Sequence, residues 1–253
     1  MFVEETIKQI KGCKVCDLRL EDCTLFHKLP ESYDTFSFYY TDADTDKSRF
    51  IIIMQNPNEG KGVNEEKENA PLREATENNV IDIHKEHLFV WLKKNKSFLN
   101  KFIKKLNEYK LINYSEKDVN FKTRLLEDFL FTDVVKCRSR TENLNDHHIK
   151  TCGTTYLKNE LEKFGKNKLI FVFSSRSWEF IHENYLNDEP SYKDNNKISQ
   201  EHGKLFFSKT MNSCFIPLAH FSQREFNNYL RNSYFDYLEE GLKNYSSRDL
   251  KIQ

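Results

Sequence analysis

The chain has no surplus of charge. Lys+Arg and Asp+Glu number 39 each over 253 residues, so the formal net charge is zero. A neutral chain is not an obvious nucleic-acid binder, but a local basic face can still grip phosphates, because a field depends on where its charges lie. Long apolar runs are missing too. The longest, such as Phe50–Met54, are far too short for a bilayer span, which takes about 20 residues. The N-terminus MFVEETIKQI is charged and amphipathic, unlike a secretory leader. Neither an internal repeat nor a low-complexity tail is found. These absences lead to the expectation of a soluble, cytoplasmic chain with no membrane attachment.

The chain is rich in core-forming residues. Apolar types make up 38 %, with 21 Phe and 12 Tyr, enough for a packed interior and against global disorder. The length suits one large α/β domain or two small ones. We expect a single domain over 1–253, with an insertion at about 61–96 that is polar until Leu88-Phe89-Val90-Trp91-Leu92. Phe50–Met54 reads as a buried strand that ends in the loop Gln55-Asn56-Pro57-Asn58-Glu59-Gly60. Further strands are expected at Phe129–Val135, Leu169–Phe173 and Cys214–Leu218, with a short edge strand at Phe206-Phe207. Helices are expected near 2–12, from about Phe98 to Leu106, from a cap at Asp146 to about Phe164, near Ser177–Tyr185 and over roughly Arg224–Lys243. Strands alternating with helices imply a parallel sheet covered on both faces. The expected fold is a three-layer α/β/α sandwich around a four-stranded, mainly parallel sheet. Ligands of such sheets bind beyond the carboxyl ends of the strands.

Six cysteines in such a chain point to metal or redox chemistry before disulfides. Cys13-x-x-Cys16 is a knuckle that can present two thiolates to one metal, and Cys137 and Cys152 form a second pair. Four thiolates suit zinc or a [4Fe–4S] cluster. Cys23 reads as a small turn residue or a spare ligand, and Cys214, in an apolar strand, as core.

The order of these blocks resembles the iron–sulfur branch of the uracil-DNA glycosylase superfamily. That branch's Asn-Val-Val-Lys-Cys-Arg block is similar to Asp133-Val134-Val135-Lys136-Cys137-Arg138, and its next cysteine to Cys152. Its late Pro-x-x-His-Pro motif is similar to Pro217-Leu218-Ala219-His220-Phe221, and its water-activating loop to Met54-Gln55-Asn56-Pro57-Asn58 with both flanking glycines replaced. The Phe that stacks on a flipped base in that family corresponds to Phe98 in Ser97-Phe98-Leu99. The resemblance implies a DNA glycosylase with a [4Fe–4S] cluster on Cys13, Cys16, Cys137 and Cys152, zinc being the alternative. It implies that Asn56 aims a water and that His220 donates to the pyrimidine O2. Gln55, Asp133 and Phe98 would bind the base, and Lys136, Arg138, Ser222 and Arg224 would contact DNA, the chain acting as a monomer. Arg140 adds to the first basic cluster. Lys101, Lys104 and Lys105 form a second, which reads equally as a solvated helix face.

Uracil-cleaving members carry Asn where Asp133 stands. An amide offers a donor and an acceptor, whereas a carboxylate only accepts. Cytosine presents an N4 amino donor at that edge and no O4. Because excision of ordinary cytosine would ruin the host's own DNA, the expected target is a modified cytosine, hydroxymethylated or glycosylated, in foreign DNA such as that of phage. Three alternatives stand beside this: a conventional uracil-repair glycosylase, a non-catalytic DNA-binding relative, and a zinc-stabilised protein unrelated to DNA.

Overall fold

The computed structural model describes residues 9–10, 13, 48–55, 79–136, 144–187, 189–221 and 233–248. Five strands form one sheet: β1 (Phe50–Met54), β2 (Phe129–Asp133), β3 (Leu169–Phe173), β4 (Phe206–Ser208) and β5 (Ser213–Leu218). Their order is β2-β1-β3-β5-β4. The first four in that order run parallel, and β4 pairs antiparallel with β5 at the edge. The expected four parallel strands are therefore present, and the sheet gains a fifth at Phe206-Phe207. The four parallel strands are buried at every position, which is why their sequences read as continuous apolar runs.

Strand alternation sends side chains to two separate cores. On one face Ile51, Ile53, Leu130, Ile170, Val172 and Phe215 pack against α4 (Asp146–Cys152), α5 (Lys158–Phe164), α6 (Ser175–Tyr185) and α7 (Ile198–Glu201). On the other, Phe50, Ile52, Met54, Phe131, Phe171 and Ile216 pack against α1 (Val80–Lys94), α2 (Lys96–Glu108), α3 (Phe121–Asp128) and α8 (Tyr234–Ser246). This is the three-layer α/β/α arrangement.

Several boundaries differ from the sequence reading. β2 ends at Asp133, although the Val134 and Val135 amides still bond to the carbonyls of Met54 and Gln55, both at 2.9 Å. The cap before α4 is Asn145, not Asp146. Its Oδ1 accepts the His148 amide at 3.0 Å, and His148 Nδ1 accepts the Asn145 amide at 3.3 Å, closing a reciprocal box. The long helix expected through Phe164 is interrupted by a π turn at Gly153–Leu157. The second half of the expected insertion is helix α1, whose Leu88 and Leu92 are core residues. Residues 61–78 of that stretch, the start of the last expected helix and most of the N-terminal one lie outside the described residues.

Candidate active site

The chain leaves β1 for β2 on one side and later places β3 on the other. The crevice between β1 and β3 is therefore the switch point at which open α/β sheets bind ligands. Around it stand Gln55 after β1, Asp133 ending β2, Ser174 after β3, and His220 two residues after β5. Asp133 and His220 belong to strands three places apart, about 14 Å between backbones at roughly 4.8 Å per strand.

Asp133 is fully buried and sits in register with Met54. Alternation puts it on the face of Phe129 and Phe131, whereas Thr132 points to the opposite layer. Gln55 is half-buried, and its carbonyl is held by the Val135 amide. Ser174 takes the turn out of β3 at φ 89, ψ 151, a conformation that costs a non-glycine residue on the order of 1–3 kcal/mol. Its amide donates to the Leu218 carbonyl at 3.1 Å, and its Oγ accepts the Ser177 amide at 3.3 Å, so the turn is tied to β5 and α6.

The half-buried His220 imidazole is held down to about 4 by desolvation, and so is neutral at pH 7. A neutral ring keeps one N–H to donate without bringing a charge. His220 lies near-parallel to Phe221 (centroids 4.7 Å, 19°), and Phe221 near-parallel to Phe98 (4.3 Å, 21°). Phe221 was not anticipated from the sequence. It covers the ring that the family resemblance offers as a stacking platform, so Phe98 does not present that face to a base in this conformation. Beside this stack an apolar pocket, about 440 Å³ of space partly open to solvent, is lined by Met54, Trp91, Phe98, Phe131, Phe173 and Phe221 among others.

Lys136 departs furthest from its expected role. It is fully buried, and its ammonium donates to Thr132 Oγ1 (2.6 Å), the Asp133 carbonyl (2.6 Å) and Glu160 Oε2 (2.9 Å), with Glu160 Oε1 in ion-pair contact at 2.8 Å. Thr132 in turn donates to Glu160 at 2.7 Å. Burial pulls the lysine down to about 7, opposed by the charges of Asp133 and Cys152, and pushes the Glu160 carboxyl up. All three ammonium protons are taken up inside the protein, so none reaches a phosphate. In the second basic cluster Lys104 pairs with Glu108 (3.8 Å), and Lys105 with Glu108 (3.0 Å) and Glu239. That is the pattern of a solvated helix face.

Of the four expected cluster ligands, Cys13 and Cys152 are described, and both pack in the same core layer. Cys152 is buried, and its Sγ accepts the Lys136 amide at 3.2 Å, immediately before Cys137 in the chain. The π turn begins at the next residue, Gly153. An amide aimed at a buried sulfur suits a thiolate ligand. Cys16, Cys137, Asn56, Arg138, Ser222 and Arg224 lie outside the described residues, as do Cys23 and Arg140. Cys214 is buried in β5, and desolvation pushes its thiol up to about 11, as befits a core residue.

The family model of the uracil DNA glycosylase superfamily matches residues 42–243, more than half of the chain. The chain belongs to the uracil-DNA glycosylase superfamily. Among curated proteins none matches it. The matched span holds every strand of the sheet and the loops at their carboxyl ends. Membership in the uracil-DNA glycosylase superfamily carries a DNA glycosylase type of function, with DNA as the partner. No helix among the described residues is long and apolar enough to cross a membrane.

Proposed function

We propose that this glycosylase excises a modified cytosine, hydroxymethylated or glycosylated, and so makes abasic sites in foreign DNA as a defence. The observation that carries this reading is Asp133, a fully buried carboxylate at the end of β2 beside Met54 and Gln55, where uracil-cleaving relatives hold an amide. A carboxylate accepts from the cytosine N4 amino group and repels the lone pairs of uracil O4. Across the crevice, neutral His220 would donate to the pyrimidine O2 as negative charge builds on the leaving base. Asn56 would aim the water, and the Gln55 amide would add a second donor to O2. Asn56 is a weak base, so the rate rests on stabilising the departing anion. Trp91 and Leu92, from the second half of the expected insertion, help form the apolar wall of the adjoining pocket.

Cys13, Cys16, Cys137 and Cys152 would hold a [4Fe–4S] cluster, zinc being the alternative. When bound it supplies a structural cross-link between the N-terminal knuckle and the 137–152 segment. The buried Cys152 sulfur with its amide donor supports a thiolate ligand there. The chain would act as a cytoplasmic monomer.

The test is single-turnover base release from duplexes containing uracil, cytosine, 5-hydroxymethylcytosine or its glucosylated form. Release from a modified cytosine alone is expected, and Asp133→Asn should move activity toward uracil. Efficient release of uracil alone would return the chain to conventional repair. Duplex binding without release of any base would mark a non-catalytic relative.

A further inference from the structure

The residue before His220 is held at both ends of its backbone. The Ala219 amide donates to His202 Nδ1 at 2.9 Å, and the Tyr234 hydroxyl donates to the Ala219 carbonyl at 2.7 Å. The loop closes on itself, because His202 Nε2 faces the Tyr234 carbonyl at 3.2 Å. Since Nδ1 accepts, Nε2 must carry the proton and donate, which fixes the tautomer. The two rings also meet edge to face, centroids 4.2 Å apart. His202, Ala219 and Tyr234 are all buried.

Three separate elements are brought together to make this clamp. His202 follows α7, Ala219 follows β5, and Tyr234 opens α8. Close packing is built in by glycine. Gly203 adopts φ +79, and its amide bonds to the Pro217 carbonyl at 2.8 Å, carrying the His202 turn along the end of β5. A Cβ at Gly203 would run into the Tyr237 backbone, and one at Gly241 into the Gly203 carbonyl. Helix α8 thus lies directly on the turn, which brings Tyr234 within reach of Ala219.

We propose that His202 and Tyr234 are positioning residues for His220. The Ala219 carbonyl belongs to the peptide that carries the His220 amide, so fixing that carbonyl and the preceding amide fixes the backbone from which the imidazole projects. A donor that must meet an oxygen only as charge develops gains from being aimed in advance. The proposal rests on the reading of His220 as the donor to the leaving base.

The test uses the full chain and two readouts. In the first, imidazole nitrogens are followed by NMR in ¹⁵N-histidine-labelled protein, with His220→Gln assigning the His220 signal. Tyr234→Phe removes only the hydroxyl, and His202→Leu removes the acceptor. His202→Asn places an amide oxygen near the lost Nδ1 and serves as the rescue. The first two variants should shift the His220 signals, and His202→Asn should restore them toward wild type. In the second readout, single-turnover release of the base identified by the substrate panel should fall about tenfold in Tyr234→Phe and His202→Leu, while duplex affinity stays within about twofold. Unchanged His220 signals in a folded Tyr234→Phe chain overturn the proposal. So does base release by Tyr234→Phe and His202→Leu as fast as by an active wild type. If wild type releases no base, the glycosylase reading fails instead, and the NMR readout still decides whether the clamp sets His220.

Discussion

Replacing Lys136 by methionine separates two incompatible roles for this residue. A phosphate contact on the DNA face would make Lys136→Met nearly neutral for folding and costly for binding, flattening the salt dependence by about one unit of slope. The structure gives the opposite expectation. Lys136 and Glu160 are 0 % and 1 % exposed, and Lys136 supplies the cation within 2.9 Å of both Glu160 oxygens. Removing one partner of a buried pair leaves a charge in a low dielectric, which costs about 3–5 kcal/mol. Thr132 and the Asp133 carbonyl lose their donor as well, which puts the loss toward the upper end. For a chain of this size the melting temperature should drop by roughly 6–20 °C. The double variant Lys136→Met/Glu160→Leu removes both charges and should recover much of the loss, since apolar replacement of a buried pair is often neutral. Urea unfolding of the two single variants and the double variant closes the cycle. A single Lys136→Met variant that loses less than about 1 kcal/mol yet binds DNA with a reduced salt slope would refute the buried-pair assignment.

Acid should weaken the fold through its buried neutral histidines. Burial holds His202 down to about 4, so between about pH 6.5 and 4 the unfolded chain takes up a proton that the folded chain refuses. Stability is complete above about pH 6.5 and falls as pH drops toward 4, by about 3 kcal/mol for this residue at full extent. A His202→Asn chain showing the same acid slope as wild type in urea midpoints would rule this out. Entry of a base against Phe98 requires Phe221 to move, and Trp91 lies 5.4 Å from the Phe221 ring. Target duplex should therefore alter Trp91 emission, because the second tryptophan, Trp178, is buried in the opposite layer; an unchanged spectrum at saturating duplex counts against displacement. Protein purified without chelator should be brown and contain iron, whereas a colourless zinc-bearing sample would overturn the iron–sulfur assignment.

The sheet was legible because a parallel strand buried on both faces has few choices of residue. Phe50–Met54 and Leu169–Phe173 announce themselves as β-branched and aromatic runs with polar ends. The helix cap lies one position from where the sequence puts it, because Asn145 and Asp146 are both competent caps and only the His148 side chain reaching back chooses between them. The burial of Lys136 is hidden for a different reason. Next to Arg138 and Arg140 it reads as part of a basic patch, and its partner Glu160 lies far along the chain in another element. Neither residue signals burial by itself. The clamp on Ala219 joins positions 202, 219 and 234, and no sequence period links them. Phe221 stands where the family motif has proline, so its ring was visible in the sequence but its place against Phe98 was not.

The last residues of β2 face two layers at once. Thr132 points toward Glu160 and the layer that holds Cys152, while Asp133 points to the layer of the apolar pocket. Lys136 spans them, with its amide on the Cys152 sulfur and its ammonium on Thr132 Oγ1 and the Asp133 carbonyl. A disturbance at Cys152 therefore reaches Asp133 through a few bonded contacts. His220 lies beyond β1 and β3, about 14 Å away, and is held by its own clamp. On the proposed reading, base selection by Asp133 and leaving-group stabilisation by His220 should thus respond differently to loss of Cys152. In a Cys152→Ser chain that still folds, the ratio of release between modified cytosine and uracil should change more than the single-turnover rate on the preferred base. A rate that collapses with an unchanged ratio would mean that the cysteine layer supports the His220 side, and that β2 does not transmit the disturbance.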